Sequence, residues 1–179
     1  MLRCGRRSLR EGTLRRAMTL LEVIMATTLL ATFATAVGLV LRTGHTAWSA
    51  HEADTAQLEA AHATARHVIR QIRQASAVVA ISPAGSNSGS LSLLMPSGQT
   101  YVWSRNATTN EVYFGVGSAT DLLAAGISGL SFTAYQVDGT TPTEVPAQIR
   151  SIVCSVTVNL PREVNASRSV SSRGWIRAW

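Results

Sequence analysis

The chain has 179 residues, a formal net charge of +6 and sixteen basic side chains, all of them arginine. Six of those arginines lie in residues 1–17 against a single acid, Glu11, whereas residues 18–179 carry a net charge of only +1. A basic nucleic-acid-binding domain is thereby not supported, and the length suits one domain with a core, or one small domain plus a membrane helix.

Residues 1–17 read as a basic leader. An apolar run follows from Met18 to Leu41, and ~20 residues suffice to cross a bilayer core as helix. The run holds one ionisable residue, Glu22. A carboxylate in hydrocarbon costs ~2.5–3.5 kcal/mol on insertion scales, so it needs a partner or a task. Six arginines precede the run and Arg42 closely follows it. The excess of positive charge before the run predicts a cytoplasmic N-terminus and an extracytoplasmic remainder. Two other readings stay open. One is an ordinary single-pass anchor in which Glu22 is incidental. The other is a twin-arginine export signal at Arg6-Arg7-Ser8-Leu9-Arg10, with cleavage after Ala34-Thr35-Ala36.

The helical pattern continues beyond Arg42. Leu58, Ala61, Ala65, Val68, Ile72, Ala75 and Val79 alternate at three and four residues, one face of a helix. A helix from Met18 to about Ser76 is expected, ~88 Å at 1.5 Å per residue. Its first half is apolar all round, and its second half needs a sheet as cover. Arg66, Arg70 and Arg73 read as a solvated face. The pairs His62/His67 and His45/His51 lack the spacing and companions of a metal site.

From Ala77 the period changes to two. Strands are expected near Val78–Ile81, at Ser90–Met95, Gln99–Ser104, Glu111–Gly115, Gly129–Val137 and Ile149–Leu160, and at Arg168–Trp179. Asp121–Ala125 fits a helical turn or a short strand. Leu130, Phe132, Ala134 and Gln136 share one face; Ile152, Cys154, Val156, Val158 and Leu160 share another. Trp175, Arg177 and Trp179 lie on one side of the last strand, and the tryptophans read as core or sheet-edge fillers. Cys4 and Cys154 imply no disulfide, and Cys154 reads as a small buried apolar residue.

No catalytic pattern emerges. Gly85-Ser86-Asn87-Ser88-Gly89 lacks a nucleophile serine at its centre. Gly115-Val116-Gly117 lacks the third glycine of a dinucleotide loop. The expectation is a non-enzyme without cofactor or metal.

Arg15-Arg16-Ala17-Met18-Thr19-Leu20-Leu21-Glu22-Val23 resembles the N-terminus shared by type IV prepilins and type II secretion pseudopilins. Two positions depart from that pattern: Ala17 stands where Gly is usual, and Met18 where Phe is commoner. The resemblance implies cleavage between Ala17 and Met18 by a prepilin peptidase, N-methylation of Met18, and a role for Glu22 in assembly. It implies three segments: a cleaved cytoplasmic leader at 1–17, a transmembrane and assembly half-helix at 18–42, and a periplasmic globular domain at 43–179. The implied fold is α+β and pilin-like, a long N-terminal helix packed on a mainly antiparallel sheet. The order of features is most similar to J-type minor pseudopilins and W-type minor pilins.

The expected function is therefore that of a structural subunit of a pseudopilus or pilus. Its partners would be the peptidase, other pilins or pseudopilins, an inner-membrane assembly platform and the lipid bilayer, with no nucleic acid. The expected location is the bacterial inner membrane. The alternatives are a competence pseudopilin for DNA uptake and a membrane-anchored binding or adhesin module that never polymerises.

Overall fold

The structure, a computed structural model, describes residues 19–161 and 166–177. Its architecture is α+β: one long N-terminal helix and eight strands in antiparallel sheets. The chain divides into two compact units, Met1–Thr46 and Ala47–Trp179.

Helix α1 runs Leu20–Ile72. Within the first unit its side chains are exposed on every side; Leu20, Leu30, Phe33 and Val40 are all more than two-thirds exposed. The threonines in this stretch close their own hydrogen bonds. The hydroxyls of Thr27, Thr28, Thr32 and Thr35 donate to carbonyls three or four residues back, at 2.8–3.0 Å. Such back-bonding leaves no hydroxyl seeking water. By length and composition this is a helix able to cross a membrane.

In the second unit the helix presents Ala61, Thr64, Ala65, Val68, Ile69 and Ile72 to the core. The helix ends at Ile72, four residues before the expected Ser76. The backbone N–H of Ser76 already donates to Leu94 O, at 2.8 Å, which commits the chain to a sheet.

Strands β1 (Ala77–Ile81), β2 (Ser90–Leu94), β3 (Thr100–Asn106), β4 (Glu111–Val116) and β5 (Asp121–Ala125) form one five-stranded meander. Strands β6 (Ile127–Tyr135), β7 (Ser151–Asn159) and β8 (Ser167–Trp175) form a second, three-stranded one. The globular unit thus has two sheets. They are stitched where Gly89 N–H donates to Leu130 O at 2.7 Å and Leu130 N–H donates to Asn87 O at 2.9 Å. A side chain at Gly89 would strike that Leu130 carbonyl, since a Cβ there would stand 2.6 Å from it.

The expected faces of β6 and β7 are the buried ones. Leu130, Phe132 and Ala134 lie in the core with Ile152, Cys154, Val156 and Val158. Burial pushes the Cys154 thiol up to about 12, so it behaves as an apolar filler.

Three expectations are corrected, and one of two readings of Asp121–Ala125 is selected. Val79 is half exposed, and Val78 is buried instead. The register against β2 shifts between Val78 and Ala80, so Val79 sits in a bulge, outside the alternation. Asp121–Ala125 resolves as a strand, at the edge of its sheet. Arg105 and Asn106 extend β3 rather than starting the turn. Of the tryptophans, Trp103 is a core residue and Trp175, 50% exposed, lies on the edge strand β8, but Trp48 is 72% exposed on α1. On β8 the core-facing residues are Gly174 and, just past the strand, Ile176. Trp175 therefore points the other way. Trp179 lies outside the described residues.

Candidate functional site

The start of α1 is defined by a side chain. Thr19 precedes the helix, and its Oγ1 accepts the backbone N–H of Glu22 at 3.3 Å. Thr19 is thus the N-cap and Glu22 occupies the third helical position, the arrangement of a capping box. A carboxylate in the first turn also complements the positive end of the helix dipole. The pattern Thr-x-x-Glu was visible in Thr19-Leu20-Leu21-Glu22, and sequence reasoning passed over it. Glu22 is exposed. Among the described residues, no side chain hydrogen-bonds its carboxylate. It stands amid Leu20, Leu21, Val23, Ile24 and Met25, all exposed apolar residues. It is an anionic point on an otherwise greasy surface. Ala17 and Met18, the expected cleavage and methylation positions, lie outside the described residues.

The second feature is on the globular unit. Arg66, Arg70 and Arg73 of α1 are solvated, as the helical pattern predicts. They line a groove of about 640 Å³ together with Ile69, Gln74, Pro96, Ser172 and Arg177. Four arginines therefore line one groove, and among the described residues that line it there is no carboxylate. The part played by Arg177 was hidden from the sequence, because it depends on β8 returning alongside the helix.

His67 does not join a metal site. It packs edge-on against Phe114, ring centroids 4.9 Å apart, and its Nδ1 accepts the Trp103 indole N–H at 3.4 Å. Burial, helped by the Arg70 guanidinium, holds its pKa below the ordinary value. Among the described residues, no group of three or more His, Cys, Asp or Glu side chains converges to hold a metal ion.

Arg105 has a structural task. Its Nε donates to Ile127 O at 2.8 Å, and its other nitrogens reach Asn87 O, Ser88 Oγ and Asn110 Oδ1. It ties the turn after β3 to the first residue of β6. The Asp138 carboxylate similarly organises the loop before β7, accepting from the hydroxyl and N–H of Thr141 and the N–H of Thr140. Those donors hold its pKa well below the usual carboxylate range.

Comparison of the chain with protein-family models, with curated proteins and with solved structures finds no match.

Proposed function

We propose that this chain is a subunit of a pilus or pseudopilus, held in the inner membrane by α1 until it is assembled. One observation carries the reading. Glu22 stands in the first turn of a helix that is apolar and uncovered on all sides up to Leu41. The later half of the same helix is covered by antiparallel sheets. A lone carboxylate on such a surface is costly in a bilayer and is relieved by a cation from another chain. Cleavage after Ala17 would create one, because a new α-amino group on Met18 is cationic near neutral pH. In this reading a prepilin peptidase removes the leader and methylates Met18. The six leader arginines hold the N-terminus in the cytoplasm, and the globular unit lies in the periplasm. Neighbouring pilins then replace lipid around the apolar helix. The protein's own work is structural, and no catalytic step is assigned to it.

Intact mass of the membrane-purified protein tests this. The expected species begins at Met18, with or without one added methyl group. A leader still attached in cells with active prepilin peptidase would overturn the reading. A species beginning near Val37 would point to the signal-peptide alternative instead.

A further inference from the structure

Glu52, Glu59 and Arg66 of α1 and Arg73, the residue just past its end, recur every seven positions. All four are exposed. Seven residues are nearly two helical turns, with a drift of about 20° per step, so the four form one stripe. It lies away from the core-facing Ala61, Ala65, Val68 and Ile72. The acids occupy the N-terminal half of the stripe and the arginines the C-terminal half.

Within the helix Arg66 Nε donates to His62 O at 3.3 Å, but among the described residues neither Glu52 nor Glu59 meets an arginine. The residues three and four after Glu52 are Thr55 and Ala56; those after Glu59 are His62 and Ala63. Neither acid has an arginine at helical pairing distance. Arg70 instead has Arg66 four residues before it and Arg73 three after it, which is repulsive. Arg177 adds a fourth like charge to the same groove.

We infer that the arginine groove receives the Glu52 and Glu59 face of a second copy of this chain, parallel and displaced by fourteen residues along the helix. That displacement is ~21 Å at 1.5 Å per residue. It sets Glu52 against the partner's Arg66, and Glu59 against the partner's Arg73. Two parallel copies in register place acid on acid and arginine on arginine. An antiparallel pair also matches charges, but every copy has its candidate membrane span at the N-terminal end of this helix. Copies drawn out of one bilayer therefore run the same way. The acidic and basic patches lie at different levels of one stripe, so each contact joins unlike patches and is heterologous. The inference rests on the filament reading above and adds the axial register of the subunits.

The test uses the full chain carrying Cys4→Ser, in its native cells, as two tagged versions that each bear one introduced cysteine besides the buried Cys154. A short bis-maleimide should join Glu52→Cys to Arg66→Cys, and Glu59→Cys to Arg73→Cys. Yield should fall several-fold at high salt, because exposed charges are screened. Without crosslinker, Arg66→Glu with Arg73→Glu should reduce co-purification of the two tagged copies at least tenfold. Adding Glu52→Arg with Glu59→Arg to the same chain should restore it. Circular dichroism of each variant checks that the fold is intact.

Crosslinks of 52 to 73 and 59 to 66 would overturn the parallel register. Predominant 52–52 and 66–66 links would overturn the stagger, and the absence of any link would overturn the contact. Binding of phosphatidylglycerol vesicles that is lost in the arginine variants, without crosslinks, would assign the groove to lipid and overturn the proposal. Recovery of the chain in sheared fibres is scored on the same cells. Fibres without the 52–66 link sink the register alone. The link without fibres keeps the contact and sinks the filament reading.

Discussion

The indole N–H of Trp103 donates to Nδ1 of His67 at 3.4 Å, joining β3 to the core-facing half of α1. The bond requires an unprotonated Nδ1. Burial and, secondarily, the Arg70 guanidinium favour that state by lowering the His67 pKa from its ordinary value near 6.5. The folded protein therefore binds fewer protons here than the unfolded chain, and stability rises with pH. This contribution is complete above about pH 6.5. It declines as pH falls below that value and is gone below the depressed folded-state pKa. Urea midpoints between pH 8 and pH 5 should fall with acidity in the parent. His67→Gln should flatten that dependence at lower overall stability. An unchanged slope in the variant would mean that other groups govern it.

The relation between Thr19 and Glu22 separates two roles for the carboxylate. Removing a cap hydroxyl costs ~0.5–2 kcal/mol, and losing a first-turn acid costs ~0.3–1 kcal/mol. If Glu22 serves only the helix start, Thr19→Val and Glu22→Val should behave alike. If it engages another subunit, both variants should insert and be processed, but only Glu22→Val should lose recovery in fibres. Equal recovery of Glu22→Val and the parent would leave the carboxylate without an assembly role.

Gly174 of β8 lies against the last turn of α1. A Cβ there would stand 2.9 Å from Ile72 Cγ2 and 3.2 Å from Ile72 Cβ. Those atoms belong to a fully buried, β-branched side chain that cannot swing aside. Gly174→Ala should destabilise the globular unit by ~1–3 kcal/mol, the usual cost of overpacking. Ile72→Val in the same chain should recover part of the loss. A neutral Gly174→Ala would show that the helix end shifts freely.

The second unit contains its own core, drawn from α1 and from both sheets. A fragment of residues 43–179 should be soluble and show mixed helix and strand by circular dichroism. Persistent aggregation, or a purely helical spectrum, would contradict the packing of the Ala61–Ile72 face on strands.

Much of this fold is legible from side-chain period. Alternation at Leu130–Ala134 and Ile152–Val158 marks the buried faces of β6 and β7, since sheet geometry sends alternate residues to opposite sides. The helix end was less legible. Ala75 and Val79 extend the three-and-four pattern past Ile72 by coincidence, and only the pairing of Ser76 with Leu94 shows where the backbone turns. Asp121–Ala125 is too short for periodicity to separate strand from helical turn. Trp48 and Trp175 show that a large apolar side chain does not by itself specify burial. At the candidate site, Thr19 and the seven-residue charge spacing were open to inspection. The convergence of Arg177 on the helix arginines was not, because it depends on tertiary return of the last strand.

Within each sheet, every strand pairs with its neighbour in sequence. Short closures of this kind form quickly, whereas contacts between distant parts of a chain come slowly. The helix follows the opposite rule: Ile72 waits for Gly174, about a hundred residues later. A chain made from its N-terminus thus presents its amphipathic helix first and completes its cover last. Until β8 arrives, the Ile69 and Ile72 end of the apolar face lacks the cover of Gly174 and is open to any other hydrophobic surface nearby. The last strand acts as a latch on the helix end, so truncation before Ser167 should leave a protease-sensitive intermediate rather than a slightly weakened native protein.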